Sequence, residues 1–504
     1  MKSLLARDQR VHRILVAFAI FAGSDRLAAQ SFPLTLVRAA EPNDSQALKL
    51  VEKNEADQPR KTPLTRAAMK QYLEDLKDRT PRIPLPEITA AERQQEQENP
   101  RQFGYEARLR KTYLGDAGNG YLTFGGAPAG GFPNLQSTAR PNPQDPALSL
   151  DYGFKVRMFW IAARANNCQY CLGHQESKLL AVGMNDDEIA ALDSNWLIFP
   201  EKERVAFALA KRLTLEPHLL TAKDLEACRP HYSDLQLIEM LGSIAGNNAI
   251  NRWKEGTGVP QMRDGGNFGR TGKSEHSSYL TKTSDKFASQ KSSVVAFEPG
   301  AVSPLGAAAT QCKRPPLVTG DALQEKLRWA ESRTPHLPLL DEAPARAALG
   351  EFAAQGPLPQ WQRLLAHFPV AGKRLVGAVL DSQKSDELST ALQAKINWVT
   401  ARQDAAWYLT ALADRELQAA GVKANERSAL DGDLKKPGAL ADQREQLLLV
   451  VAKNLASSPI TLTDAEVAAA VKVAGPRAVT QTINYTCYRA ALNRITEAAG
   501  LAAK

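Results

Sequence analysis

Cysteine is scarce in this chain of 504 residues. The five that occur, Cys168, Cys171, Cys228, Cys312 and Cys487, are too few to build a disulfide scaffold. A fold of this length must then be held by an apolar core, and a hydrophobic content of 43% beside 23% charged residues is that of a globular protein. Beyond the N-terminal segment no apolar run is long enough to span a bilayer. Clustered lysine and arginine are missing too. The net charge of +8 is dispersed, so it names no partner, and nucleic acid is not expected as one. Alternating β-branched runs bounded by hairpin turns are absent, which excludes a sheet-built fold.

What is present is helical. Glu201-Lys202-Glu203-Arg204 leads into Val205, Phe207, Ala208 and Leu209; Thr221 and Ser233 stand where helix N-caps belong, and Gly258 where a C-cap belongs. The fold class expected is all-α. At the N-terminus Lys2, Arg7 and Arg10 precede the apolar run Ile14–Ala22, and small residues follow near Ala28-Ala29. This is the pattern of a secretory signal, so residues 1–30 are read as a signal peptide and the mature protein as periplasmic or secreted. Residues 31–60 are polar and without period, a mobile leader. Residues 262–317, rich in Gly, Ser and Thr, are read as a linker between domains at 61–261 and 318–504.

These two stretches repeat each other. Arg79-Thr80-Pro81 recurs as Arg333-Thr334-Pro335, 254 positions on. Trp160, Ala163, Arg164, Tyr170, Leu179 and Gly183 recur as Trp398, Ala401, Arg402, Tyr408, Leu417 and Gly421, each 238 positions on. Pro217, Thr221, Asn251, Arg252, Glu255 and Gly258 recur as Pro459, Thr463, Asn493, Arg494, Glu497 and Gly500, each 242 positions on. A constant offset across Trp, Pro and Asn-Arg is not what shared composition produces, and points to a duplicated unit.

One segment carries chemistry. In Asn166-Asn167-Cys168-Gln169-Tyr170-Cys171-Leu172-Gly173-His174-Gln175-Glu176, Asn167 is expected to cap a new helix with Cys168 in its first turn, where free amides and the helix dipole favour a thiolate. Cys171 and His174 follow at three-residue steps, on the same helix face. Two thiols and an imidazole so placed form a redox unit. Leu172 stands where a haem-attachment motif needs histidine, which rejects haem. Zinc lacks a clear fourth ligand, and two buried, inert cysteines remain the bland alternative. No cofactor is expected. In the second unit Cys168, Cys171 and His174 become Ala406, Leu409 and Leu412, so that copy has no thiol to act. His218, His231, His336 and His367 stand in no ligand spacing.

The run N-N-C-Q-Y-C-L-G-H-Q with K-L-L-A-V-G, followed by E-K-E-R-V-A-F-A-L-A-K-R-L-T and A-I-N-R-W-K-E-G-T-G-V-P, resembles the alkyl hydroperoxidase D / carboxymuconolactone decarboxylase family over about residues 150–260. The resemblance implies an all-helical domain that oligomerises, here as a pseudo-dimer of an intact and a degenerate copy. It further implies reduction of a hydroperoxide, with Cys171 as the peroxidatic thiol, Cys168 as the resolving thiol, a histidine with an upstream glutamate as proton relay, and a thiol or dithiol reductant. In the best-known branch that reductant is a lipoylated protein. Two positions depart from the pattern. Gln175 stands at the family's histidine position, with His174 one residue early, and Val156 stands where the glutamate belongs; Glu176 and Gln175 are the candidates to complete the relay. The dipole argument favours Cys168 as the more acidic thiol, whereas the family pattern favours Cys171 as the attacking one. A non-enzymatic scaffold, or a decarboxylase of the same family, are the alternatives to an exported thiol peroxidase.

Overall fold

Short polar side chains set the starts of the main helices. Thr65, Asp151, Asn185, Ser233, Ser389 and Thr463 each accept the backbone N–H three residues on, satisfying an amide that would otherwise be orphaned. The computed structural model describes residues 57–98, 104–115, 124, 145–181, 183–261, 278–280, 283–295 and 316–504; Cys312, the signal-peptide segment and nearly all of the expected leader lie outside them. Among the described residues there are helices and no strand, as the composition predicts, with one isolated antiparallel bridge between Thr65 and Lys291. No helix there is long and apolar enough to cross a membrane.

The helices that position the site are α1 (Arg66–Asp75), α2 (Tyr152–Ala165), α3 (Gln169–Ala181), α4 (Asp186–Ser194), α5 (Glu201–Leu215) and α6 (Asp234–Thr257). Later in the chain come α7 (Thr390–Asp404), α8 (Trp407–Ala419), α9 (Ala424–Asp431), α10 (Gln443–Ala456) and α11 (Asp464–Ala498). The offsets seen in the sequence reappear in these bounds. Both ends of α3 and α8 lie 238 residues apart, as do the starts of α4 and α9, and the starts of α5 and α10 lie 242 apart. The joints agree as well. Asn167 and Ala405, 238 apart, are the non-glycine residues with positive φ (59° and 49°) among the described residues, and Gly183/Gly421 and Gly258/Gly500 adopt positive φ in pairs.

Helix α6 is buried from Leu237 to Thr257, and α11 from Ala478 to Ala498; the two pack against each other along the middle of the molecule. Gly256 permits the approach, because a Cβ there would meet Ile483. Their equivalent arginines converge on one hydroxyl: Nη2 of Arg252 and Nη2 of Arg494 donate to Ser458 Oγ at 2.7 and 3.0 Å. Arg494 also pairs with Asp404 at 3.0 Å, both fully buried. Removing one partner of such a buried ion pair would leave the other charge uncompensated.

Part of the stretch read as a linker lies against the helices. Ser278 Oγ and the Tyr279 amide bond to Glu74 on α1, the Ser292 amide to Leu64 O, and Phe287 packs on Ala190 and Ala191 of α4. The turn chemistry of that stretch carried no information on where it docks or on the short helix Asp285–Ala288 within it.

Candidate functional site

The site lies at the joint between α2 and α3. Helix α2 closes with two backbone bonds, Cys168 N to Ala163 O at 2.9 Å and Asn167 N to Arg164 O at 3.2 Å, the pattern of a helix end whose next residue turns left-handed. Asn167 is that residue. It therefore ends α2 rather than capping α3, which corrects the expected N-cap. Asparagine suits both places, because its short amide tolerates the left-handed region and also bonds locally. Its Nδ2 instead donates to the carbonyls of Arg60 and Lys61, at 3.1 and 3.2 Å.

Cys168 thus stands at the cap itself, just before α3 begins at Gln169. Its carbonyl receives the Leu172 amide. The two sulfurs lie 2.7 Å apart, both as free thiols. Closure to a disulfide near 2.05 Å would need a movement of roughly 0.6 Å. Cys168 is fully buried and Cys171 is 2% exposed. Burial, then the adjacent thiol of Cys171, then the charge of Glu255 push the Cys168 thiol well above its ordinary range, against a smaller pull from the Cys171 N–H. The dipole expectation of an acidic Cys168 is overturned, because burial of the sulfur outweighs one amide.

The other expected site residues take different places. The His174 ring is half-buried and stacks on Tyr170, centroids 6.2 Å apart. Gln175 is buried, and its Oε1 has no hydrogen-bond partner among the described residues. Glu176 is tied elsewhere: its carboxylate pairs with Arg66 of α1, with Nη2 at 2.9 Å, and receives Trp160 Nε1 at 3.1 Å. This is a buried ion pair that fastens α1 to α3, a geometry that lends no support to a relay through Glu176. Trp160 and Arg164, two of the recurring residues, are both held in the core, Trp160 by Glu176 and Arg164 by Asp193 at 3.1 Å. Cys228 and Cys487 are each pushed by burial to about 12 and lie apart from the pair.

Sequence reading passed over one residue. Glu255, near the end of α6, is 4% exposed; its Oε2 pairs with Arg79 at 3.3 Å, and its Oε1 has no hydrogen-bond partner among the described residues. Its charge reaches Cys168. The end of α6 and the start of α3 are further linked where Gln261 Nε2 donates to Gln169 O at 3.0 Å. The recurrence of Glu255 as Glu497 gave it the look of a fold residue. The signal that could have singled it out is that Glu255 and Glu497, 242 apart, are the same residue type whereas Cys168 and Ala406, 238 apart, are not.

Among the described residues no group of three or more His, Cys, Asp or Glu side chains is placed to hold a metal ion. Chemically the arrangement offers two sulfurs poised to bond, an imidazole on the same helix and a buried carboxylate below. Searches against protein families and against curated proteins give no match, so the likeness to the alkyl hydroperoxidase D family rests on the residues of the motif alone.

Proposed function

We propose that the protein is a thiol-dependent oxidoreductase that reduces hydroperoxides through Cys168 and Cys171. The observation that carries this reading is the 2.7 Å approach of two free thiols across the start of α3. In the reaction, Cys171 gives up its proton and the thiolate attacks the distal oxygen of a hydroperoxide; the O–O bond breaks, the departing alkoxide takes up that proton and leaves as an alcohol, and Cys171 becomes a sulfenic acid. Cys168 then forms the S–S bond and water departs. A thiol or dithiol reductant returns both sulfurs to the thiol state.

The wider reading is a duplicated unit of the alkyl hydroperoxidase D type, with a thiol-free second copy packed as an internal partner. Its support is the matching of helix bounds and left-handed joints at constant offsets, together with the α6–α11 seam. Export to an oxidising compartment and further assembly into a homo-oligomer belong to the same proposal.

A second reading is favoured by one observation. Both sulfurs are buried, and the Cys168 thiol is raised, as in a scaffold whose cysteines are inert. The two readings part under one experiment. Reduced protein treated with hydrogen peroxide, then with an organic hydroperoxide, is expected to lose two thiols in wild type. In Cys168→Ser the expected product is a dimedone-trappable sulfenic acid on Cys171, and in Cys171→Ser no loss at that pair. Wild-type thiols that persist under every hydroperoxide tried would leave the scaffold.

A further inference from the structure

Helix α11 repeats α6 at an offset of 242, yet one of its faces has changed character. Met240, Ile244 and Asn247 on α6 become Thr482, Thr486 and Arg489 on α11, and Phe159 on α2 becomes Asn397 on α7 at the offset of 238. Thr482, Thr486 and Arg489 follow at steps of four and three residues, so they share one helix face. The two threonines are fully buried, Arg489 is 2% exposed and Asn397 4%. Contacts at either end fix what this face meets. Gln481 Oε1 receives the Glu387 amide at 3.2 Å, while Asn493 Nδ2 donates to Thr400 O at 3.2 Å and to Asp404 at 2.9 Å. The chain from Glu387 through α7 therefore runs in the same direction as α11, and Arg489 comes level with Asn397.

Polar atoms on both sides of this level lack partners. Nε and Nη2 of Arg489, Oγ1 of Thr482 and of Thr486, and Oδ1 of Asn397 are buried with no hydrogen bond among the described residues. The Arg489 guanidinium rests over the Tyr485 ring, 4.7 Å from its centroid, and no carboxylate among the described residues forms an ion pair with it. Glu416 of α8 is taken up by Asn397 Nδ2 at 2.6 Å. A buried charge without a counter-charge is costly, and buried polar atoms left unpaired on facing helices mark the place of an ion or polar ligand. Nε and Nη2 are neighbouring donors, the edge of a guanidinium that a carboxylate bridges with its two oxygens.

We propose that the second half of the chain binds a small carboxylate between α7 and α11, its oxygens bridged by Nε and Nη2 of Arg489, with the Thr486 hydroxyl as a further donor. The ligand is a monoanion, because one guanidinium balances one charge and Glu416 already brings a negative group to the Asn397 side. The site is distinct from the cysteine pair and stands whether or not that pair reduces peroxides.

The test uses full-length protein and sodium acetate as the probe, with sodium chloride and sodium sulfate at matched ionic strength as controls. The thermal unfolding midpoint is expected to rise saturably with acetate and not with the controls. In Arg489→Gln, folded by circular dichroism, the rise is expected to vanish. In Arg489→Lys, which keeps the charge and loses the fork, saturation is expected at about tenfold higher acetate. A carboxylate already bound would be released on denaturation, one equivalent from wild type and none from Arg489→Gln by mass spectrometry, and this supports the proposal equally. An equal rise in acetate and chloride reports an adventitious ion only and overturns it. So does a rise that persists in Arg489→Gln, or wild type that neither responds to acetate nor releases a carboxylate, which would leave water alone between the helices.

Discussion

Arg66 and Glu176 are both almost fully buried, and each is the other's main partner. Removing one leaves an uncompensated charge in the core. Glu176→Ala is therefore expected to destabilise the protein by about 3 kcal/mol, softened by Asp186, which lies 3.6 Å from Arg66. Urea denaturation followed by circular dichroism checks this, and a loss near zero would count against the pair as the fastening of α1. Ala405 makes the opposite case. It holds a left-handed conformation, φ 49°, that an alanine adopts at a cost. Ala405→Gly is expected to raise stability by about 0.5 to 1 kcal/mol, the strain relieved less the added freedom of the unfolded chain. The same measurement reads it, and a fall in stability would show the turn to be unstrained.

Elements show where sequence was legible. Thr221, Ser233 and Gly258 mark the ends that the structure gives them, because a cap is a local bargain between a side chain and the next few amides. Asn167 misleads because the same amide serves a helix start or a helix end, and only the packing of α2 against α3 decides. The kink within α11 has a local signal that sequence reading passed over, a Gly-Pro pair inside a helical run. Gly475 (φ 85°, ψ 157°) and Pro476 break a helix that otherwise runs from Asp464 to Ala498, at the position equivalent to the start of α6. No neighbour lies within 4 Å of a Cβ placed on Gly475, so Gly475→Ala is expected to cost about 1 to 3 kcal/mol through backbone strain alone. An unchanged denaturation midpoint would refute that.

The end of α11 also carries a pH response. His336 receives support from the chain end, its amide donating to Ala499 O at 2.8 Å and Nδ1 lying 3.2 Å from Ala498 O. Burial lowers its pKa, partly offset by the Ala498 carbonyl and assisted by Arg333 and Arg229. A depressed folded-state value means that the unfolded chain takes up the proton first. The contribution is then fully present above the unfolded value, about 6.5, and is lost as pH falls below it. His367, lowered by burial, acts with the same sign. Stability is expected to decline on acidification through that window, less steeply in His336→Gln. An equal slope in that variant would remove the assignment.

At the scale of the molecule, the all-helical class and the twofold recurrence were readable because both are carried by local pattern and by spacing. The buried pairing of Glu255 with Arg79 and the burial of the cysteine pair were not, since they depend on contacts between residues far apart in the chain. The α6–α11 seam, with Arg252 and Arg494 on one hydroxyl, leads to a further expectation. A protease site inserted between residues 300 and 310 is expected to yield two fragments that co-elute in gel filtration. Fragments that separate without denaturant would show the seam to be weak.

The thiol-free joint after α7 has a consequence for engineering. Ala406 and Leu409 occupy the places of Cys168 and Cys171, on a helix whose ends keep the same separation, behind a turn of the same hand. That turn is thus a ready mould into which a pair of cysteines could be cast. Ala406→Cys with Leu409→Cys, in protein lacking the native pair, should cross-link under diamide and displace Glu497 from the Tyr408 amide it now covers.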